Sequence, residues 1–169
     1  MDLIPIFRSQ YLASLSMLEE CLRRCPETLW VDPGPKNAFW RIAYHALHYT
    51  NLYLADSLET FVPWVGQRPN YHFLGPLPWS PQEMPKIGEP YDPPALLDYL
   101  EFCRREIEGR IAGMDFSSPS GFHWLPFNKA ELQIYNIRHL QHHAGQLADR
   151  LRGRGLAVPW IAAGGPTTS

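Results

Sequence analysis

Two stretches of this 169-residue chain hold histidines at spacings that suit metal coordination. In RHLQHHAGQLADRL, His139 and His143 stand four residues apart, the separation that places two side chains one above the other on one face of an α-helix. Leu132, Tyr135 and Leu147 fall on or beside that stripe, so both imidazoles are expected to point into an apolar interior. In FWRIAYHALHYTNLYL, His45 and His48 lie three apart, flanked by Ile42, Tyr49 and Leu52, and at least one of them should face inward. A buried imidazole needs partners for both ring nitrogens, and a metal ion supplies one of them. Two helices that each present inward imidazoles meet the requirement for a metal site between facing helices of a bundle. Imidazole suits Zn, Ni, Fe or Cu, whereas Mg or Ca would need carboxylates that these stripes lack. Three protein ligands leave a coordination position open, the pattern of a catalytic site. The spacing by itself leaves His45 and His48 both open as the third donor.

Other polar residues take lesser places. Gln146, three residues after His143, is positioned to hydrogen-bond a ligand from behind, and Asn136 and Asn51 could do the same. His142 is expected at the rim of its helix, and His72 and His123 fall in connectors and read as solvated. Asp56 and Glu131 are the carboxylates nearest to these stripes, and both read as surface or capping groups. Cys21, Cys25 and Cys103 lack metal-finger spacing and read as buried thiols on helices.

These side chains must be positioned by helices. Leu12, Leu15, Leu18 and Leu22 repeat at three and four residues over Ile6–Arg24, and Pro26 ends that stretch. A second helix is predicted from Ala38, with Asn37 as N-cap, to about Thr60. Residues Phe61 to Pro94 carry too many prolines for a long helix, and Trp64, Tyr71, Phe73 and Trp79 could roof a cavity. Asp92 as N-cap with Pro93 opens a third helix that ends near Gly113. Asn128 and Glu131 form a capping-box-like pair that opens a fourth, which runs to about Arg152. From about residue 156 the tail should be irregular. Four helical segments without strand periodicity predict one all-α domain over residues 1–169, a four-helix bundle with a long loop between its second and third helices.

Composition narrows the partners. Fifteen Lys+Arg against 17 Asp+Glu give a formal charge of -2, which leaves no basic field to draw the chain onto nucleic acid or an anionic membrane. No run approaches the ~20 apolar residues of a spanning helix, and the first residues show no signal core, so a cytoplasmic protein is expected. Phe39, Trp40, Tyr44, Tyr49 and Tyr53 point in more directions than one core-facing stripe can accommodate, which leads us to expect a homodimer.

IYNIRHLQHHAGQL, residues 134–147, resembles the last-helix motif of the DinB-like superfamily, a His-x-x-x-His pair followed closely by Gln. FWRIAYHALHYTNLYL resembles the second-helix motif that brings a third histidine. The resemblance covers about Ala38 to Arg152 and implies a DinB-like four-helix bundle with His45, His139 and His143 as metal ligands, the run Trp-x-x-x-Tyr-His-x-Leu selecting His45. It implies a divalent transition metal, Zn, Ni or Fe, and dimeric relatives strengthen the expectation of a homodimer. Relatives of this kind include thiol transferases that use bacillithiol, mycothiol or glutathione, so the expected activity is a metalloenzyme of the transferase or hydrolase type acting on a small-molecule substrate. The competing expectations are a non-catalytic, stress-associated metal-binding bundle that acts through a protein partner, and a metal-free histidine cluster.

Overall fold

Apolar stripes at helical spacing draw four long helices around one core in the computed structural model, which describes residues 2–34 and 36–164. The elements are α1 (Ile4–Arg24), a single turn α2 (Glu27–Trp30), α3 (Phe39–Leu52), α4 (Pro93–Ile111) and α5 (Lys129–Arg152). No strand forms among the described residues, so the architecture is an all-α bundle. Around the bundle the long helices run in the order α1, α5, α3, α4, each packed on its two neighbours. That order sets α3 directly against α5 and brings the two histidine-bearing faces together.

Both predicted caps at the later helices form. The Asp92 carboxylate accepts the Ala95 N–H at 2.9 Å, and Asn128 Oδ1 accepts the Glu131 N–H at 2.9 Å. The second helix departs from expectation at both ends. Its N-cap is Ala38, while the Asn37 side chain donates instead to the Leu74 carbonyl. It stops at Leu52, well short of Thr60, because α5 captures the carbonyls that a longer helix would use. Asn136 donates to Thr50 O, Gln133 to Tyr53 O, and the buried Lys129 ammonium to the carbonyls of Ala55 and Asp56. A cation and two amides therefore satisfy groups that a helix C-terminus leaves unpaired. The short α2 was not expected; Leu29 and Trp30 are buried in it, and the Trp30 indole donates to Tyr91 O at 2.7 Å.

The connector between α3 and α4 covers the aromatic surplus. Trp64 stacks on Tyr99 at 4.6 Å and donates to Asp98, Tyr91 stacks on Tyr44 at 4.8 Å, and Tyr71 meets Tyr44 edge-on. Trp64 and Tyr71 thus belong to the core, while Phe73 and Trp79 line the cavity beside the end of α3. Phe39, Trp40, Tyr44 and Tyr53 are buried within the one chain, so they provide no ground for a homodimer. The connector between α4 and α5 crosses this region closely. At Gly121, φ is +86° and a Cβ would stand 1.8 Å from the Asp56 carbonyl oxygen, which only glycine permits. The tail forms no regular element from Leu156 to Gly164, although the Gly164 N–H donates to Ser9 O; residues 165–169, and Pro35 in the predicted turn, lie outside the described residues.

Candidate metal centre

His45 from α3 and His139 and His143 from α5 converge. His139 Nε2 lies 3.0 Å from His45 Nε2 and 3.1 Å from His143 Nε2, and the three ligand atoms all fall within 4.8 Å of one another. His143 is buried, and the other two are half-buried. The i, i+4 spacing on α5 supplies the second distance, and the α3–α5 contact supplies the first.

Hydrogen bonds behind the cluster fix which nitrogen of each outer ring is free. His45 Nδ1 lies 2.6 Å from the carbonyl oxygen of His72, which can only accept, so Nδ1 carries the proton and Nε2 presents its lone pair. His143 Nδ1 lies 2.8 Å from Gln146 Oε1, with the same consequence. Both lone pairs face His139 Nε2. A neutral His139 has at most one proton there, so it can satisfy only one of them, and its own Nδ1 is buried without a partner. At least one of the two lone pairs is then left without a proton, about 3 Å from His139 Nε2. Nitrogens bound at about 2.0–2.1 Å to one ion stand roughly 2.9 to 3.4 Å apart; the two distances to His139 Nε2 match that span, and three neutral imidazoles suit a transition metal.

Protons do not take the ion's place near neutral pH. Burial, the largest cause in each ring, lowers the pKa of His45 to about 2 and of His139 to about 4, with the neighbouring histidines adding to both, and burial also lowers His143. Tyr49 stands against His45 at 4.8 Å and against His139 at 5.3 Å, which helps to keep water from the rings.

The remaining candidates separate cleanly. His48 leaves the cluster and stacks on His72 with ring centroids 4.0 Å apart, so of the two α3 histidines the fold brings His45 to the centre. Gln146 acts behind His143 as expected, and it also contacts the exposed His142 at 3.1 Å. Asn136 and Asn51 do not approach the rings; they donate to Thr50 O and Val62 O. His72 was expected to be solvated, yet it is half-buried and its carbonyl orients His45, a role that no spacing in the sequence announces. Asp56 is exposed beside Lys129, and the Glu131 N–H is capped by Asn128; neither joins the cluster. Burial pushes the Cys21 and Cys25 thiols up to about 12 and raises Cys103 as well, which leaves no ready nucleophile among them.

A family model described as the DinB superfamily matches residues 10–147, a span that includes all three histidines of the centre and the contact between α3 and α5. No curated protein and no solved structure matches the chain.

Proposed function

The chain belongs to the DinB superfamily, and we propose that it holds one divalent transition metal ion, Zn, Ni or Fe, on the Nε2 atoms of His45, His139 and His143 and works as a metal-dependent transferase. The observation that supports this reading is the convergence of three Nε2 atoms, two of them held as lone pairs by the His72 carbonyl and Gln146. When bound, the ion supplies Lewis acidity that lowers the pKa of a thiol or water entering its open position. The chain itself holds His45 and His143 in one tautomer and shields the rings with Tyr49.

No carboxylate joins the three histidines among the described residues, so no general base of that kind stands at the centre. That favours a low-molecular-weight thiol over water as nucleophile. A thiol with an ordinary pKa of about 8.5 needs only a small shift to be an anion at neutral pH, whereas water starts near 15.7. Hydrolysis is the less favoured activity of the same centre.

Metal analysis of the purified protein tests the proposal. About one equivalent of metal is expected, with none in His139→Ala and helix content retained by circular dichroism, because the apolar core does not depend on the ion. Conjugation of glutathione to 1-chloro-2,4-dinitrobenzene is then compared with and without metal. Stoichiometric metal without turnover of any thiol would favour the non-catalytic, partner-binding bundle, and a metal-free protein that takes up no ion would leave a structural histidine cluster.

A further inference from the structure

Beside the metal centre, between α3 and the two long connectors, lies a cavity of about 670 Å³, within the size range of small-molecule sites. Its walls are aromatic rings from three segments: Tyr49 and Tyr53 at the end of α3, Phe73 and Trp79 from the connector before α4, and Trp124 from the connector after it. Trp79 and Trp124 remain 66% and 42% exposed, with Leu58 also exposed next to them, so the largest apolar surfaces here are left in water around one opening. Phe73 already meets Trp79 edge-on at 5.5 Å, an arrangement that a further ring can extend.

The inner wall is polar and incompletely paired. His48, His72 and Gln67 line it; Gln67 stands beside the His48 ring, and His72 Nδ1 is buried without a hydrogen-bond partner among the described residues. Imidazole and amide groups on an otherwise aromatic wall mark the place where a ligand's polar edge finds hydrogen-bonding partners. A neutral imidazole offers one donor and one acceptor, and Gln67 Oε1 only accepts. Among the described residues no Asp, Glu, Lys or Arg lines the cavity, which selects an uncharged ligand.

We infer that this cavity binds a neutral, planar aromatic or heteroaromatic molecule, its flat faces among the Trp and Tyr rings and its hydrogen-bonding edge toward Gln67, His48 and His72. Ring–ring contacts add to simple burial, so the cavity distinguishes a ring from an aliphatic chain of equal size. The bound molecule also lies against the metal centre, because Tyr49 touches His45 and His139 and the His72 carbonyl holds His45. Its role as the electrophilic substrate rests on the proposed metal chemistry; its binding does not.

Calorimetric titration of the metal-free, chelator-treated protein with 2-naphthol tests the site. One molecule should bind per chain, naphthalene should bind at least threefold more weakly for lack of the polar edge, and cyclohexanol should not bind measurably. Trp79→Ala/Trp124→Ala should weaken 2-naphthol at least tenfold, whereas Trp160→Ala, exposed on another face, should leave it unchanged. Both tryptophans at the opening are exposed, so their loss spares the core, and unchanged circular dichroism verifies it. No saturable binding, or full affinity in the double variant, overturns the site; equal affinity for naphthalene overturns the polar edge. Naphthol binding to a protein that takes up no metal would sink the proposed metal chemistry and leave the cavity assignment standing.

Discussion

Chelator-treated protein should unfold under mild acid. Burial is the first cause that lowers four ring pKa values in the fold, His45 to about 2, His48 to about 3, and His72 and His139 to about 4. In the unfolded chain the same rings titrate near their ordinary value of about 6.5. Between the folded and unfolded values the unfolded chain binds protons that the native chain refuses, so the free energy of unfolding falls as the pH falls. Each deeply buried ring then costs about 1.4 kcal/mol per pH unit below about 6.5, which is about 2 kcal/mol at pH 5 and up to about 6 kcal/mol for His45, His48 and His139. His72 adds less because solvent screens its partly exposed ring. Domains of this size are stable by about 5 to 15 kcal/mol in total, so the metal-free protein should lose its fold between roughly pH 6 and pH 4. Metal at about 100 times its Kd adds about 2.7 kcal/mol and should move that transition to lower pH until protons displace it. Urea melts followed by far-UV circular dichroism, on chelated and metal-loaded protein across this window, measure the effect. A chelated protein whose urea midpoint is the same at about pH 7 and about pH 4.5 would refute the reasoning, since neutral burial of these rings requires the loss.

In the metal centre, His45→Ala should lose stoichiometric metal while His48→Ala, whose ring lies against His72, keeps it; metal content reads the difference, and the reverse order would remove His45 from the ligand set. Gln146→Leu should weaken metal binding about 10- to 100-fold with the fold intact, as measured by competition with a chromophoric chelator, because His143 loses the acceptor that holds its tautomer. Lys129→Met should cost about 2 to 4 kcal/mol in urea unfolding by stranding the carbonyls of Ala55 and Asp56. Gly121→Ala should cost more than about 1 kcal/mol in the same assay, given its positive φ and the Asp56 carbonyl against it; a stability equal to the parent's would show that the two connectors do not meet there.

What the sequence determined by itself is what neighbours within a helical turn decide. The apolar stripes, the Asp92 and Asn128 caps, the stop at Pro26 and the His139–His143 pair are all local, and each stands in the fold where the spacing puts it. Motif resemblance carried the choice of His45, which spacing alone left open between two residues on one helix. Tertiary structure decided the rest, because the deciding groups come from far along the chain. The second helix ends at Leu52 because Lys129, Gln133 and Asn136, more than 70 residues later, take its carbonyls. The same capture holds Asn136 away from the three histidines, behind which its position in the sequence had allowed it a hydrogen bond. The aromatic surplus is covered by its own connector, so a count of rings on one helix could not tell an interface from an interior. His72 illustrates the limit most plainly: the atom that orients His45 is a main-chain carbonyl, which every residue carries, and only the packing of the connector onto α3 selects this one.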